Sequence, residues 1–119
     1  MDTGSLCAAW TAAIAAFNDG DPSALAELLA PPCVFEHVGT SRDEIMAALA
    51  RDRAAGWLRH EILSVTAVGT VLATTARNTF ADGGVYHVAG VARFNDAGQV
   101  AYLAAVDVRA PLPGMAAPS

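Results

Sequence analysis

The chain has 119 residues, one domain's worth, and a folded chain of that length removes roughly two thirds of its unfolded surface from water around a single core. Its net charge is −5 and its seven Lys plus Arg are scattered singly, which gives no basic stripe for phosphates and excludes nucleic acid as an expected partner. No apolar run approaches the roughly 20 residues of a membrane span, and the start lacks the pattern of a signal peptide, so a soluble cytoplasmic protein without a membrane partner is expected.

In chain order, Leu6, Ala9, Trp10, Ala13, Ile14 and Phe17 recur at helical spacing and predict an amphipathic helix that ends at "NDGD". Asp21 followed by Pro22 starts a second, short helix, "SALAELLA", which Pro31 and Pro32 stop. "CVFEHV" then reads as a strand, and Ser41 with Glu44 forms a capping box opening a third helix that closes near Gly56. Four long strands follow, Trp57 to Val68, Thr70 to Phe80, Val85 to Phe94 and Gln99 to Arg109, joined by Gly69, "ADGG" and "NDAG" as a meander. The expectation is an α+β domain over 1–110, with the proline-rich stretch 111–119 as a disordered tail.

The apolar share is 54% against 16% charged, and strands such as "YLAAVDV" are apolar at almost every position. Both sheet faces should therefore be covered, one by helices and the other by a second subunit. Cys7 and Cys33 are isolated and read as small core residues. His37, His60 and His87 lack the short-range spacing of a ligand set, so no metal is expected, and no Gly-rich phosphate loop indicates a cofactor.

The segments "AAFNDGDPSALAELLAPPCVFEHVG" and "VARFNDAGQVAYLAAVD", in this order of elements, resemble the NTF2-like superfamily, and within it the SnoaL-like and ketosteroid-isomerase-like small proteins. The resemblance covers about Leu6 to Arg109. It implies a cone-shaped, strongly curved antiparallel sheet wrapped round the N-terminal helices, a deep apolar pocket, and a homodimer through the outer sheet face. It places His37 where the isomerases carry their general base, facing inward, with Glu36 outward. The isomerases' two oxyanion donors fall near Ala13 and Gly90, which supply none. Asp107 matches the proton-transfer acid of the SnoaL-like cyclases.

Proton transfer near neutral pH calls for a histidine or a carboxylate in an altered environment, which makes His37 and Asp107 the catalytic candidates. Asp107, between Val106 and Val108, is expected to be buried and to need a partner such as Arg77 or Arg109. Of the neighbours Tyr86 and His87 only one can face inward, and the resemblance favours Tyr86, beside Val88 and Gly90. Arg77 and Asn78 pose the same choice. Trp10, Ile14, Phe17, Phe35 and Leu103 complete the expected ligand-binding wall, and His60 is expected at the surface or an interface. The resulting expectation is a cofactor-independent isomerase or cyclase acting on a small apolar, carbonyl-bearing, polyketide- or steroid-like molecule. The alternatives are an epoxide hydrolase built on Arg77 and Asp107, with Thr79 where a second acid would be needed, and a non-catalytic binding or dimerisation module.

Overall fold

The computed structural model describes residues 2–108 and contains three helices and five strands. The predicted tail and Arg109 lie outside the described residues. Helix α1 (Thr3–Asn18) starts where the Asp2 carboxylate accepts from the Ser5 N–H at 2.8 Å, and it buries Leu6, Trp10, Ala13, Ile14 and Phe17, the stripe expected from spacing. Helix α2 (Ser23–Leu28) is a short bracket that buries Leu25. In α3 (Arg42–Ala54) the Ser41 hydroxyl accepts from the Glu44 N–H at 3.2 Å, as the capping box predicts, and Ile45 and Ala48 face the core.

The strands are β1 (Leu29–Phe35), β2 (Trp57–Val68), β3 (Val71–Phe80), β4 (Val85–Phe94) and β5 (Val100–Val108), in the order β1-β5-β4-β3-β2. The sheet is curved and unclosed. Strands β2 to β5 form the predicted antiparallel meander, whereas β1 pairs with β5 in parallel, so the sheet is mixed. The first strand also begins earlier than expected. Pro31 and Pro32 do not merely end a helix; they sit inside β1, in the stretch where its register with β5 slips between Leu29 and Val34. An edge strand with a broken ladder tolerates residues that have no N–H to donate.

Residue partition between the faces follows the ladders. Leu72, Thr74, Ala76 and Asn78 of β3 share the helix-side face with Tyr86, Val88, Gly90 and Ala92 of β4 and with Leu103, Ala105 and Asp107 of β5. Register shifts between Trp57 and Arg59 and between Ile62 and Ser64 each insert one extra residue into β2. They let Trp57, His60, Ile62, Val65 and Ala67 all lie on the more buried side, although strict alternation could not put them on one face. The core between this face and the helices contains Leu6, Leu29, Cys33, Ile45, Leu72 and Val100, each almost wholly buried. Both cysteines are free, and burial pushes the Cys33 thiol up from its ordinary value, as suits a core residue. The opposite face is uncovered in the single chain, with Val71 and Val91 39% exposed and Val106 66% exposed.

Candidate functional site

Between the helices and the inner sheet face lies a cavity of about 320 Å³. Trp10, Ile14 and Phe17 of α1, Phe35 of β1, Val88 of β4 and Leu103 of β5 all line it, as the sequence led us to expect. Its polar groups are few: Asp52, His60, Thr74, Asn78, Asp107 and the indole of Trp57. An apolar chamber with a small number of placed polar groups is the usual form of a small-molecule site.

His37 is not among them. The segment expected to be one strand, "CVFEHV", ends as a strand at Phe35 and turns over Glu36–Val38, closed by Phe35 N–H to Gly39 O at 2.9 Å and Gly39 N–H to Phe35 O at 3.0 Å. His37 occupies the left-handed region, with φ of 66°, and is exposed. The turn can fold this tightly because Gly39 lies against α3, where a Cβ would come within 2.9 Å of Glu44 Cβ. His37 and Glu36 border a different feature, a shallow trough on the outer sheet face lined by Thr66, Ala73, Thr75, Ala89 and Val91. The inward placement of His37 is therefore corrected: the period-2 argument does not apply to a turn. His37 and Asp107 do not share a cavity.

Three other expectations resolve by face. Asn78 lines the cavity, while Arg77 points the other way and pairs with Glu61 at 2.9 Å on the outer side. That arrangement separates Arg77 from Asp107 and disperses the epoxide-hydrolase constellation. Tyr86 lies on the inner face as expected, and His87 on the exposed outer one, but the Tyr86 ring packs edge-on against Phe80 at 5.6 Å and does not line the cavity. Asp107 does line it, yet is exposed and not buried, because it lies at the open end of β5 next to the exposed Val106.

The histidine the cavity does contain is His60, expected at the surface and found in its wall. It is partly buried, and burial holds its imidazole below the ordinary value of 6.5, outweighing the opposing hydrogen bond to Asn78. Its Nδ1 is 2.6 Å from Asn78 Oδ1, which also accepts from Trp57 Nε1 at 3.0 Å. The main chain of His60 is gripped by Asn18 at the end of α1, whose Nδ2 donates to His60 O at 2.8 Å and whose Oδ1 accepts from His60 N–H at 2.9 Å. Arg53 of α3 joins the same corner, donating to Leu58 O and Phe17 O and stacking over the Phe17 ring at 4.5 Å. The register shift after Trp57 puts His60 on the inner face, opposite Asn78 of β3. Trp10 Nε1 is also buried, with no hydrogen-bond partner among the described residues. No group of three or more potential metal ligands occurs among the described residues, and no helix described is long and apolar enough to cross a membrane.

Comparison with known proteins agrees with this architecture. The candidate polyketide cyclase from Sinorhizobium meliloti superposes with a TM-score of 0.75 at 21% identity, covering 89% of this chain and 100% of that one. The candidate hydroxylase AclR from Streptomyces galilaeus gives 0.73 at 19%, covering 90% and 91%. An NTF2-like protein from Burkholderia thailandensis gives 0.68 at 21%, covering 87% and 88%. No functionally curated protein matches the chain. The family model described as a SnoaL-like domain matches residues 10–103, most of the sequence, and the chain belongs to that family.

Proposed function

We propose that this protein is a cofactor-independent isomerase or cyclase that moves a proton on an apolar, carbonyl-bearing molecule, of polyketide- or steroid-like character, held in the inner cavity. The observation that carries the reading is a histidine in the wall of a largely apolar chamber, its charged form disfavoured by burial and its ring hydrogen-bonded at Nδ1 to Asn78. A neutral imidazole with its other nitrogen available is a general base at physiological pH. His60 takes the role that the sequence assigned to His37. It would remove a proton from the carbon next to the carbonyl, the electron pair moving to the carbonyl oxygen. The enolate would either be reprotonated by the imidazolium at another carbon or attack a second carbonyl to close a ring, breaking that C=O π bond to an alkoxide that takes the imidazolium's proton. Asn78, through its Nδ2, remains in the wall as a donor for the developing oxyanion, and Asp107, at the open end, is the candidate proton carrier for the product side. The candidate polyketide cyclase among the structural relatives is consistent with such a substrate class.

Solvent deuterium exchange tests this directly. Wild-type protein is expected to exchange protons next to the carbonyl of a bicyclic aryl ketone such as 1-tetralone, and His60→Ala to lose roughly 10²- to 10⁴-fold in rate. Full exchange in His60→Ala would contradict the assignment. A ketone that binds without exchanging would favour the non-catalytic reading, which the lack of donors at Ala13 and Gly90 also supports. We also propose that the uncovered outer face, with Val71, Val91 and Val106, makes a homodimer. A monomer by light scattering at micromolar concentration would count against it.

A further inference from the structure

We propose that Asn78, oriented by Trp57, is a positioning residue that holds His60 as its Nδ1–H tautomer and so makes Nε2 the proton-accepting nitrogen. The inference rests on the proposed reaction for what Nε2 does, but not for which nitrogen carries the hydrogen. An indole N–H can only donate. The Asn78 atom 3.0 Å from Trp57 Nε1 must therefore be the amide oxygen, and this fixes which way round the amide sits. The same oxygen lies 2.6 Å from His60 Nδ1. An amide oxygen has lone pairs and no hydrogen, so the second neighbour must donate as well. Nδ1 then carries the proton, and in a neutral ring Nε2 holds the lone pair.

The choice of an amide over a carboxylate at this point has a consequence. A carboxylate would favour the charged imidazolium, whereas a neutral amide fixes the tautomer without adding charge. The surrounding contacts keep the arrangement in register. Trp57 sits edge-on to the His60 ring at 6.0 Å and against Phe17 at 5.5 Å, and the paired hydrogen bonds of Asn18 hold the His60 main chain beside the bulge. Three positions from three elements thus act on one ring: Trp57 orients Asn78, Asn78 orients His60, and Asn18 holds the backbone from which the ring projects.

The test reads the ring and not the rate. In the full-length protein labelled with ¹⁵N, two-bond proton–nitrogen correlations report which nitrogen of His60 is protonated. Wild type is expected to show the Nδ1–H form near pH 7.5. Asn78→Ala should turn the ring toward the Nε2–H form that unconstrained histidine favours, with ketone exchange falling at least about 10-fold, because the proposed oxyanion donor Nδ2 is lost together with the hydrogen bond to Nδ1. Asn78→Asp keeps an acceptor oxygen and should again protonate Nδ1, with the ring drawn toward the doubly protonated imidazolium. Trp57→Phe frees the amide to rotate and should give a mixture. An Nε2–H ring in wild type, or an unchanged Nδ1–H ring in folded Asn78→Ala, overturns the proposal, and if Asn78→Ala fails to fold the wild-type spectrum still decides. Full exchange in His60→Ala would remove His60 from the reaction while leaving these signatures to be read independently.

Discussion

His37 and His60 are the same side chain in two settings, and the contrast between them separates a residue that attracts notice from one that is built in. His37 sits at the tip of a turn, exposed, on a backbone with φ of 66°. His60 sits on an interior-facing strand position, with its main chain held by Asn18, its ring nitrogen by Asn78, and its charged state disfavoured by burial. Chemistry that depends on a defined proton position requires the second kind of setting.

The sharpest way to break the comparison is to remove each ring in turn. His60→Ala should cost roughly 10²- to 10⁴-fold in the exchange assay, whereas His37→Ala should leave the rate within about twofold of wild type. Equal losses would mean that the two settings do not differ in function. Next in size is the support beneath His60. Asn18→Ala deletes both side-chain hydrogen bonds to the His60 main chain, leaves the partly buried peptide groups unmatched, and should lower urea stability by about 1–3 kcal/mol. A change under a few tenths would show that the grip is incidental.

The turn should respond in the opposite direction. Because a non-glycine residue in the left-handed region is strained, His37→Gly is expected to be neutral or to gain up to about 1 kcal/mol, the reverse of what a constrained functional histidine would give. Smaller still is an acid dependence. The folded His60 value is lowered, so above 6.5 both folded and unfolded chains hold a neutral ring and nothing is lost. As pH falls through 6.5 the unfolded chain takes up a proton that the folded one does not, and stability drops until the lowered folded value is passed. Melting temperature should therefore fall more steeply between pH 7 and 5 in wild type than in His60→Gln, and identical slopes would argue against a suppressed imidazole.

Much of the fold could be read in advance because its signals are local. The α1 stripe, the Ser41 capping box, and the β2 and β4 boundaries all follow from periodicity and turn chemistry. The site was half legible for the same reason. Trp10, Ile14 and Phe17 fall on the stripe that helical spacing puts inward, and Val88 lies on the inner face that the resemblance implied for its strand. The errors arose where the period breaks. "FEHVG" contains a tight turn that depends on Gly39 approaching α3, a contact far from local in sequence. In β2, two bulges shift the inward parity, and no residue between Trp57 and Ser64 announces them. The parallel pairing of β1 with β5 is likewise set by tertiary contacts, with Pro31 and Pro32 accommodated only because the strand lies at an edge.

The central claim is that the inner cavity is the ligand site and that His60 is its histidine. Titrating the ¹⁵N/¹³C-labelled protein with 1-tetralone, while following the ring Cε1–H resonances of all three histidines, tests it most directly. His60 is expected to shift in step with the Trp10 and Trp57 indole signals, with His37 and His87 staying still. A response led by His37, with His60 unmoved, would place the ligand on the outer face and contradict it.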